Sequence, residues 1–313
     1  PYTYADGTEF THKAQAYDGT DYYKHPLQIT DETEELISYV TKNYSKVVVI
    51  LTGSSPIEAG ILRDNENINA ILWTGSLGES GWQGCSYGGW DEIAKLLNGE
   101  VNPSGKTTDL WAYDFTANTT WANDGNSGKS FENAQDEDAY SYQNVSTTKA
   151  WRTEDGEYAV RSGHTDQDTV SNYYTVEYEE DIYYGYRYYE TMDADYQDYD
   201  YDKAVAFPFG YGLSYTSFDW ELVEKEDSDW GKEQSEWEHD GKITLKVKVT
   251  NTGDHAGKDV VEIYGHSPYI DGGVEKSEVT LVGFEKTQVL RPGQSEIVTI
   301  EVNIQDLASF DYN

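Results

Sequence analysis

The chain has 313 residues, 37% hydrophobic and 14% aromatic, which is room for two domains with cores of ordinary size. Its 58 acidic against 22 basic residues leave a net charge of −36, a surface that repels nucleic acid and anionic membranes and suits a neutral ligand. No apolar run approaches the roughly 18 residues that a membrane helix needs, and a single cysteine, Cys85, excludes an internal disulfide and a cysteine-built zinc site.

Residues 1–28 are polar, tyrosine-rich and punctuated by glycine, and read as an irregular surface segment. The chain opens on Pro1 without methionine or an apolar leader, which reads as a processed or cut end. Thr30 and Asp31 then cap a helix whose apolar face is Leu36, Ile37 and Val40. Val47–Leu51 is a β-branched run without polar alternation, the pattern of a strand buried on both faces. A turn at Gly53-Ser54-Ser55-Pro56 and a short helical stretch lead to a second apolar strand, Ile68–Trp73. A glycine-rich loop from Gly75 to Gly89 feeds a helix with Ile93, Ala94, Leu96 and Leu97 on one side and Gly99 as its terminator. Helix alternating with buried strand predicts an α/β domain, a mostly parallel sheet covered by helices.

Residues 112–172 are rich in Asn, Asp, Ser, Thr and Gly with little periodicity, and read as a long surface or binding loop. Patterning resumes at Tyr173 and runs through Ile182–Tyr186 to Phe207-Pro208-Phe209-Gly210. From about Leu222 the texture is all-β. Ile243, Leu245, Val247 and Val249 alternate with Thr244, Lys246, Lys248 and Thr250, a period of two. Strands at Val260–Tyr264 and Val279–Phe284, a last one carrying Ile297, Ile300 and Val302, and turns at Asn251–Asp254 and Pro292-Gly293 complete a small β-sandwich of immunoglobulin or fibronectin type III kind.

Most familiar chemistries find no support. The Thr74–Gly81 loop follows a strand, where open α/β sheets place ligands, but there is no GxGxxG and no Gly-Lys-Ser/Thr phosphate cradle. GxSxG is absent, so acyl transfer is unsupported. Cys85 has no activating base beside it, and the six histidines make no ligand pair. The Asp193–Asp202 stretch interleaves Asp with Tyr, lacks the glycine and terminal glutamate of an EF-hand, and reads as a solvated loop. Asn102-Pro103-Ser104-Gly105-Lys106 reads only as a turn. Asn43, Asn118 and Asn144 lie in Asn-x-Ser/Thr sequons. No metal and no cofactor is expected. Two carboxylates flanking a sugar would make a glycosidase, but spacing alone cannot select a pair among 58.

Longer strings narrow the choice. Val47–Ile57, Ile71-Leu72-Trp73-Thr74-Gly75, and Gly99 through Val101–Lys106 resemble the second, (α/β) sandwich domain of glycoside hydrolase family 3. Phe207–Thr216 is similar to that family's stretch joining this domain to a fibronectin-like module. Val249–Gly253, Gly257–Tyr264, Leu281–Lys286 and Leu290–Gly293 resemble the module itself. The resemblance places an α/β domain at residues 1–218 and a fibronectin type III-like domain at 219–313.

It implies a retaining, exo-acting β-glycosidase, β-glucosidase first and β-xylosidase-type specificity as the alternative. The substrate would be a neutral β-linked oligosaccharide or glucoside, and the setting extracellular or, less in keeping, cytoplasmic. In that family the nucleophilic Asp lies on a (β/α)₈ barrel of roughly 250 residues, for which this chain has no space. The barrel is then another segment or a partner chain. Ser228-Asp229-Trp230 has the letters of the nucleophile motif but stands at the entry to the sandwich, and is rejected. The acid/base Glu would lie in the segment before the helix at Asp31. Glu9 is the only glutamate there, the family's Gly-Glu-Gly-like signature is missing, and the alternative is a residue upstream of Pro1. Trp82, Trp90, Trp111, Trp121 and Trp151 either line leaving-group subsites or pack in the core. The rival classes are a non-catalytic carbohydrate-binding or scaffolding protein and an inactive homologue.

Overall fold

A computed structural model describes residues 27–76, 89–115, 117, 118, 120, 180–223, 241–270 and 272–309, and the backbone alone at 2–3, 9–10, 116, 145–149, 172–176 and 224–227. In chain order, β1 (Tyr2–Thr3) and β2 (Glu9–Phe10) precede α1 (Asp31–Asn43), β3 (Val48–Leu51), α2 (Gly60–Arg63), β4 (Ala70–Trp73) and α3 (Trp90–Leu97). Next come β5 (Trp111–Ala112), a 3-10 turn at Phe115–Ala117, β6 (Val145–Lys149), β7 (Asn172–Val176), α4 (Tyr186–Asp195), α5 (Tyr201–Ala204) and β8 (Val205–Phe207). The remainder is β9 (Phe218–Asp227), β10 (Lys242–Asn251), β11 (Val260–Gly265), β12 (Thr280–Lys286) and β13 (Ser295–Asn303), ending in a 3-10 turn at Ile304–Leu307. Contacts divide the chain into two compact units that interleave in sequence. One is Pro1–Val47, Ile57–Asn69 and Ala112–Tyr184; the other is Val48–Pro56, Ala70–Trp111 and Gly185–Asn313.

In the first unit, α1 starts as its sequence dictates. The Thr33 N–H donates to Thr30 Oγ1 at 3.4 Å, and Asp31, Glu32 and Glu34 place negative charge at the positive end of the helix dipole. Its expected apolar face is not buried: no residue of α1 is, and Leu36 is 59% exposed. The buried positions are instead Ile29, Val47, Ala59, Leu62, Ala112 and Phe115. Glu58 ties three stretches of chain together. Its N–H donates to Leu27 O at 2.8 Å, and its buried Oε1 accepts from the Phe115 N–H at 2.8 Å. The ring of Tyr113 lies against Gly60, where any Cβ would overlap it. The Tyr113 hydroxyl accepts from Arg63 Nη1 and donates to Asp64 Oδ1, both at 2.8 Å.

Within the stretch 112–172, read as a long surface or binding loop, β6 and β7 pair antiparallel, from Val145↔Val176 to Lys149↔Asn172. The reason is β-propensity without hydrophobic alternation. Val, Thr and Tyr suit a pleated strand even when no apolar face announces it. The segment read as irregular before residue 28 likewise contains the short pair β1–β2, with Thr3 opposite Glu9.

In the second unit, β3 and β4 pair in parallel, Val48↔Ala70 through Leu51↔Trp73. This is the parallel sheet expected of an α/β domain, but burial on both faces is not achieved. Val48 and Ala70 are exposed and the other six residues are half-buried, because among the described residues this sheet has only two strands. Helix α3 buries Ile93 alone and leaves Leu97 exposed. It ends where expected. Gly99 takes φ +79°, its N–H bonds to Leu96 O at 3.1 Å, and the Glu100 N–H returns to Lys95 O at 2.9 Å.

The sandwich packs an antiparallel sheet of order β13-β10-β9 against the pair β11-β12. Period two puts Val247 and Val249 of β10 and Val298, Ile300 and Val302 of β13 on the inner face, where they meet Val261 and Leu290. Burial of each such side chain contributes roughly 1.5–3 kcal/mol before conformational entropy is subtracted. One buried polar residue, Asn251, is fully satisfied. Nδ2 donates to His255 O and Leu290 O at 2.8 Å each, and Oδ1 accepts from the Gly253 N–H at 3.0 Å and Thr216 Oγ1 at 2.7 Å.

The Asn102–Lys106 stretch, read as only a turn, fastens the sandwich to the α/β part of this unit. Asn102 Oδ1 accepts from Ser214 Oγ at 3.0 Å and the Tyr215 N–H at 2.8 Å, while Nδ2 donates to Ala256 O at 3.1 Å. Lys106 Nζ donates to Gly212 O at 2.9 Å and sits 3.5 Å from Asp259 Oδ1. Thr107 exchanges backbone bonds with Gly210 and Tyr211, and Lys286 Nζ reaches back to Ser104 O at 2.8 Å. On the other side, α4 takes bonds from the sandwich backbone: Leu281 N–H to Tyr186 hydroxyl at 2.8 Å and Glu278 N–H to Thr191 Oγ1 at 2.9 Å.

Candidate functional site

Ligands of parallel α/β sheets bind beyond the carboxyl ends of the strands. Here the parallel register brings the segments after β3 and β4 side by side. The Thr74 N–H donates to Leu51 O at 3.0 Å, Trp73 Nε1 donates to Gly53 O at 2.8 Å, and Gly75 turns the chain at φ +61°. Residues 52–55 are exposed. The result is a ledge of backbone amides, hydroxyls and one indole edge. Nothing in Thr52–Pro56 or Thr74–Ser76 ionises near neutral pH, so the ledge can hold neutral polar groups but cannot move a proton.

Glu9, the acid/base candidate, belongs to β2 opposite Thr3, while the surroundings of its carboxyl lie outside the described residues. So do Cys85, the glycine-rich run 77–88, Trp82, Trp121, Trp151 and Ser228-Asp229-Trp230. Of the tryptophans that fall inside, Trp111 takes the core reading. It is buried, with its ring edge-on to Trp73 at 5.3 Å and to Phe207 at 6.3 Å. Trp90 opens α3 and is exposed.

The acidic stretch 193–202 is the end of α4, a turn, and the start of α5, where Asp200 caps the helix through the Lys203 N–H at 3.3 Å and pairs with Lys203 Nζ. Two of its tyrosines, Tyr199 and Tyr201, have raised pKa values. Burial, followed by the nearby Tyr188 and the Asp193 and Glu190 carboxylates, pushes Tyr199 up to about 12. Burial and a 2.6 Å bond from its hydroxyl to Glu190 Oε1 raise Tyr201. Among the described residues no three His, Cys, Asp or Glu side chains gather as metal ligands, and no helix is long and apolar enough to cross a membrane. Sequence reading missed Glu58 and Asn102. Both are polar residues whose bonding partners are distant in sequence, and no local periodicity points to them.

The parallel pair β3–β4, whose ledge carries no proton-transfer group among the described residues, is clasped to a fibronectin-type β-sandwich. Comparison with known proteins gives the family. The glycosyl hydrolase family 3 C-terminal domain matches residues 8–215 and a fibronectin type III-like domain matches 259–313; the chain belongs to glycosyl hydrolase family 3. A β-glucosidase of Ruminococcus albus is 33% identical over 283 residues, 90% of this chain and 22% of that protein. β-Glucosidase A of Butyrivibrio fibrisolvens is 30% identical over 302 residues, 94% of this chain and 28% of that protein. The solved structure of β-glucosidase 3B from Thermotoga neapolitana superposes with a TM-score of 0.61 at 28% identity, over 93% of this chain and 31% of that one. The chain therefore spans less than a third of the length of these relatives.

Proposed function

We propose that this chain is the α/β and fibronectin-like part of a retaining, exo-acting β-glucosidase that hydrolyses terminal β-D-glucosyl residues. The observation carrying this reading is the similarity to β-glucosidases over nine-tenths of the chain. In the proposed mechanism, an Asp on a barrel outside these 313 residues attacks the anomeric carbon and forms a glycosyl-enzyme. Glu9 protonates the leaving oxygen and then activates water. Retention requires the two carboxyls to stand about 5–5.5 Å apart, so the barrel's mouth must face the segment that carries Glu9. A ledge that binds neutral polar groups and a surface of charge −36 both agree with an uncharged sugar substrate.

The test uses the polypeptide that joins this chain to a barrel. It should hydrolyse an aryl β-glucoside with release of β-glucose, read by NMR before mutarotation. Glu9→Gln should slow poor leaving groups by about 10²–10⁴-fold and good ones far less, the signature of a lost general acid. Equal, near wild-type rates on both substrates would remove Glu9 from the site.

A further inference from the structure

The end of α3 carries a chemistry that sugar hydrolysis does not use. Asn98-Gly99 is the one Asn-Gly step in the sequence. In such a step the backbone nitrogen after the carboxamide has no Cβ beside it to obstruct its approach to the side-chain carbon. Attack by the Gly99 nitrogen on Asn98 Cγ forms an N–Cγ bond and breaks the Cγ–Nδ2 bond, and the proton of the attacking nitrogen leaves with Nδ2 as ammonia. The resulting five-membered imide takes up one water at either carbonyl, which leaves an aspartyl or an isoaspartyl residue at position 98. Only water is consumed, and both residues are exposed to it.

The fold holds the reacting atoms apart. Asn98 is the C-cap of α3 with φ −94° and ψ 0°, so the Gly99 nitrogen eclipses the Asn98 nitrogen, whereas ring closure needs it on the side of Cβ. Turning it there breaks the bond from the Gly99 N–H to Leu96 O at 3.1 Å. The carboxamide is pinned as well. Its Oδ1 accepts from the Glu100 N–H at 3.1 Å, and its Nδ2 donates to Glu100 Oε1 at 2.7 Å. Leu96 O also accepts from the Tyr215 hydroxyl at 3.0 Å, a bond that steadies the same turn from 119 positions along the chain.

The product does not suit the cap that its precursor makes. A carboxylate at position 98 stands at the negative end of the α3 dipole and cannot donate to Glu100, so two like charges replace an amide–carboxylate bond. The isoaspartyl form also adds a backbone carbon to the turn that Gly99 closes at φ +79°. We infer that Asn98 is a deamidation site guarded by the α3 cap, closed while the cap is formed, reactive when it opens locally, and loosening the cap once converted. Conversion then runs at the rate of the unfolded chain multiplied by the fraction of time the cap is open. The inference is independent of the glucosidase reading, since neither substrate nor barrel enters it.

Peptide mapping by mass spectrometry tests this at mildly alkaline pH, with the chain in buffer and in guanidinium chloride above its unfolding transition. Asn98 should convert in denaturant, with the isoaspartyl form as the larger product. In buffer it should convert at least about tenfold more slowly, as expected of a turn closed by several hydrogen bonds. Tyr215→Phe removes one bond to Leu96 O and lies too far along the chain to alter the unfolded chemistry. It should speed conversion in buffer by about 2–10-fold and leave the rate in denaturant unchanged. Asn98→Asp, which carries the charge of the product, should lower the thermal midpoint at low salt by about 1–2 °C. No conversion in denaturant overturns the inference by removing the site. Equal rates in buffer and denaturant, or a Tyr215→Phe rate in buffer equal to wild type, overturn it by removing the cap as the guard. An Asn98→Asp midpoint equal to wild type overturns the loosening.

Discussion

Asn102 is in contact, through one amide, with three groups 112 to 154 residues away in sequence: the Ser214 hydroxyl, the Tyr215 N–H and the Ala256 carbonyl. Replacing it by alanine leaves a donor and an acceptor of the main chain without partners in a partly buried joint. Asn102→Ala should cost about 0.5–1.5 kcal/mol, seen as a lower urea midpoint with an unchanged denaturant slope. Asn102→Asp keeps the acceptor and should lose less. Glycines give a sharper comparison, because two of them are required for different reasons. Gly212→Ala forces a Cβ into Gly105 O, a backbone atom that cannot swing away, and should destabilise by about 1–3 kcal/mol through overpacking. Gly99→Ala meets nothing within 4 Å and suffers only from φ +79°, about 1 kcal/mol of left-handed backbone strain. Gly99→Asn should recover part of that loss, since Asn tolerates this conformation, and Gly212→Asn should recover none. Matching responses at the two sites would mean that the close approach at Gly212 is not limiting.

At the scale of elements, what could be read from sequence was whatever repeats locally. Alternation in β10, the Thr30 cap of α1 and the Gly99 stop of α3 are set by neighbours within a few residues, and each stands where its pattern places it. Burial was not legible in the same way. Leu36 lies on the apolar stripe of α1 and β3 is aliphatic throughout, but whether such faces are covered depends on what else packs there, which no local pattern states. The candidate site shares that limit. A glutamate's role depends on the carboxylate facing it, and Glu9 has its proposed counterpart outside these residues. The pair α4–α5 makes a prediction that no sequence pattern offers. The folded pKa of Tyr199 is raised to about 12, and that of Tyr201 is raised as well, against about 10 in the unfolded chain. The folded state therefore binds more protons than the unfolded state above pH 10. Their contribution is fully present below pH 10 and is lost as pH rises toward 12. Urea midpoints measured from pH 9 to 12 should fall across that window, and Tyr201→Phe should make the fall shallower. A Tyr201→Phe profile parallel to wild type would detach this tyrosine from the effect.

On the scale of the whole molecule, electrostatics is decided by the imbalance of 58 acidic and 22 basic residues, since pairing cannot offset it. Lys95–Glu92, Lys242–Glu301 and Lys248–Glu221 are ion pairs on the surface, at 2.6, 2.7 and 3.4 Å, with side chains mostly in solvent. Such pairs contribute about 0–1 kcal/mol each, and salt weakens them. Salt weakens the self-repulsion of a −36 surface too, and the two effects oppose one another. Repulsion should win. It involves every unpaired carboxylate, and at low salt it acts beyond nearest neighbours: the Debye length is about 30 Å at 0.01 M and about 10 Å at 0.1 M. The thermal midpoint should therefore rise as NaCl increases from 10 mM, steeply at first. It should flatten near 1 M, where screening reaches only about 3 Å. If screening recovers about 2 kcal/mol, the gain is about 3 °C for a chain of 313 residues. Potassium chloride should act like sodium chloride, whereas sucrose, which favours compact states without screening charge, should give no early steep phase. A midpoint that stays flat or falls over the first 100 mM would mean that the few surface pairs outweigh the repulsion, and that the acidic residues are spaced widely enough not to strain the fold.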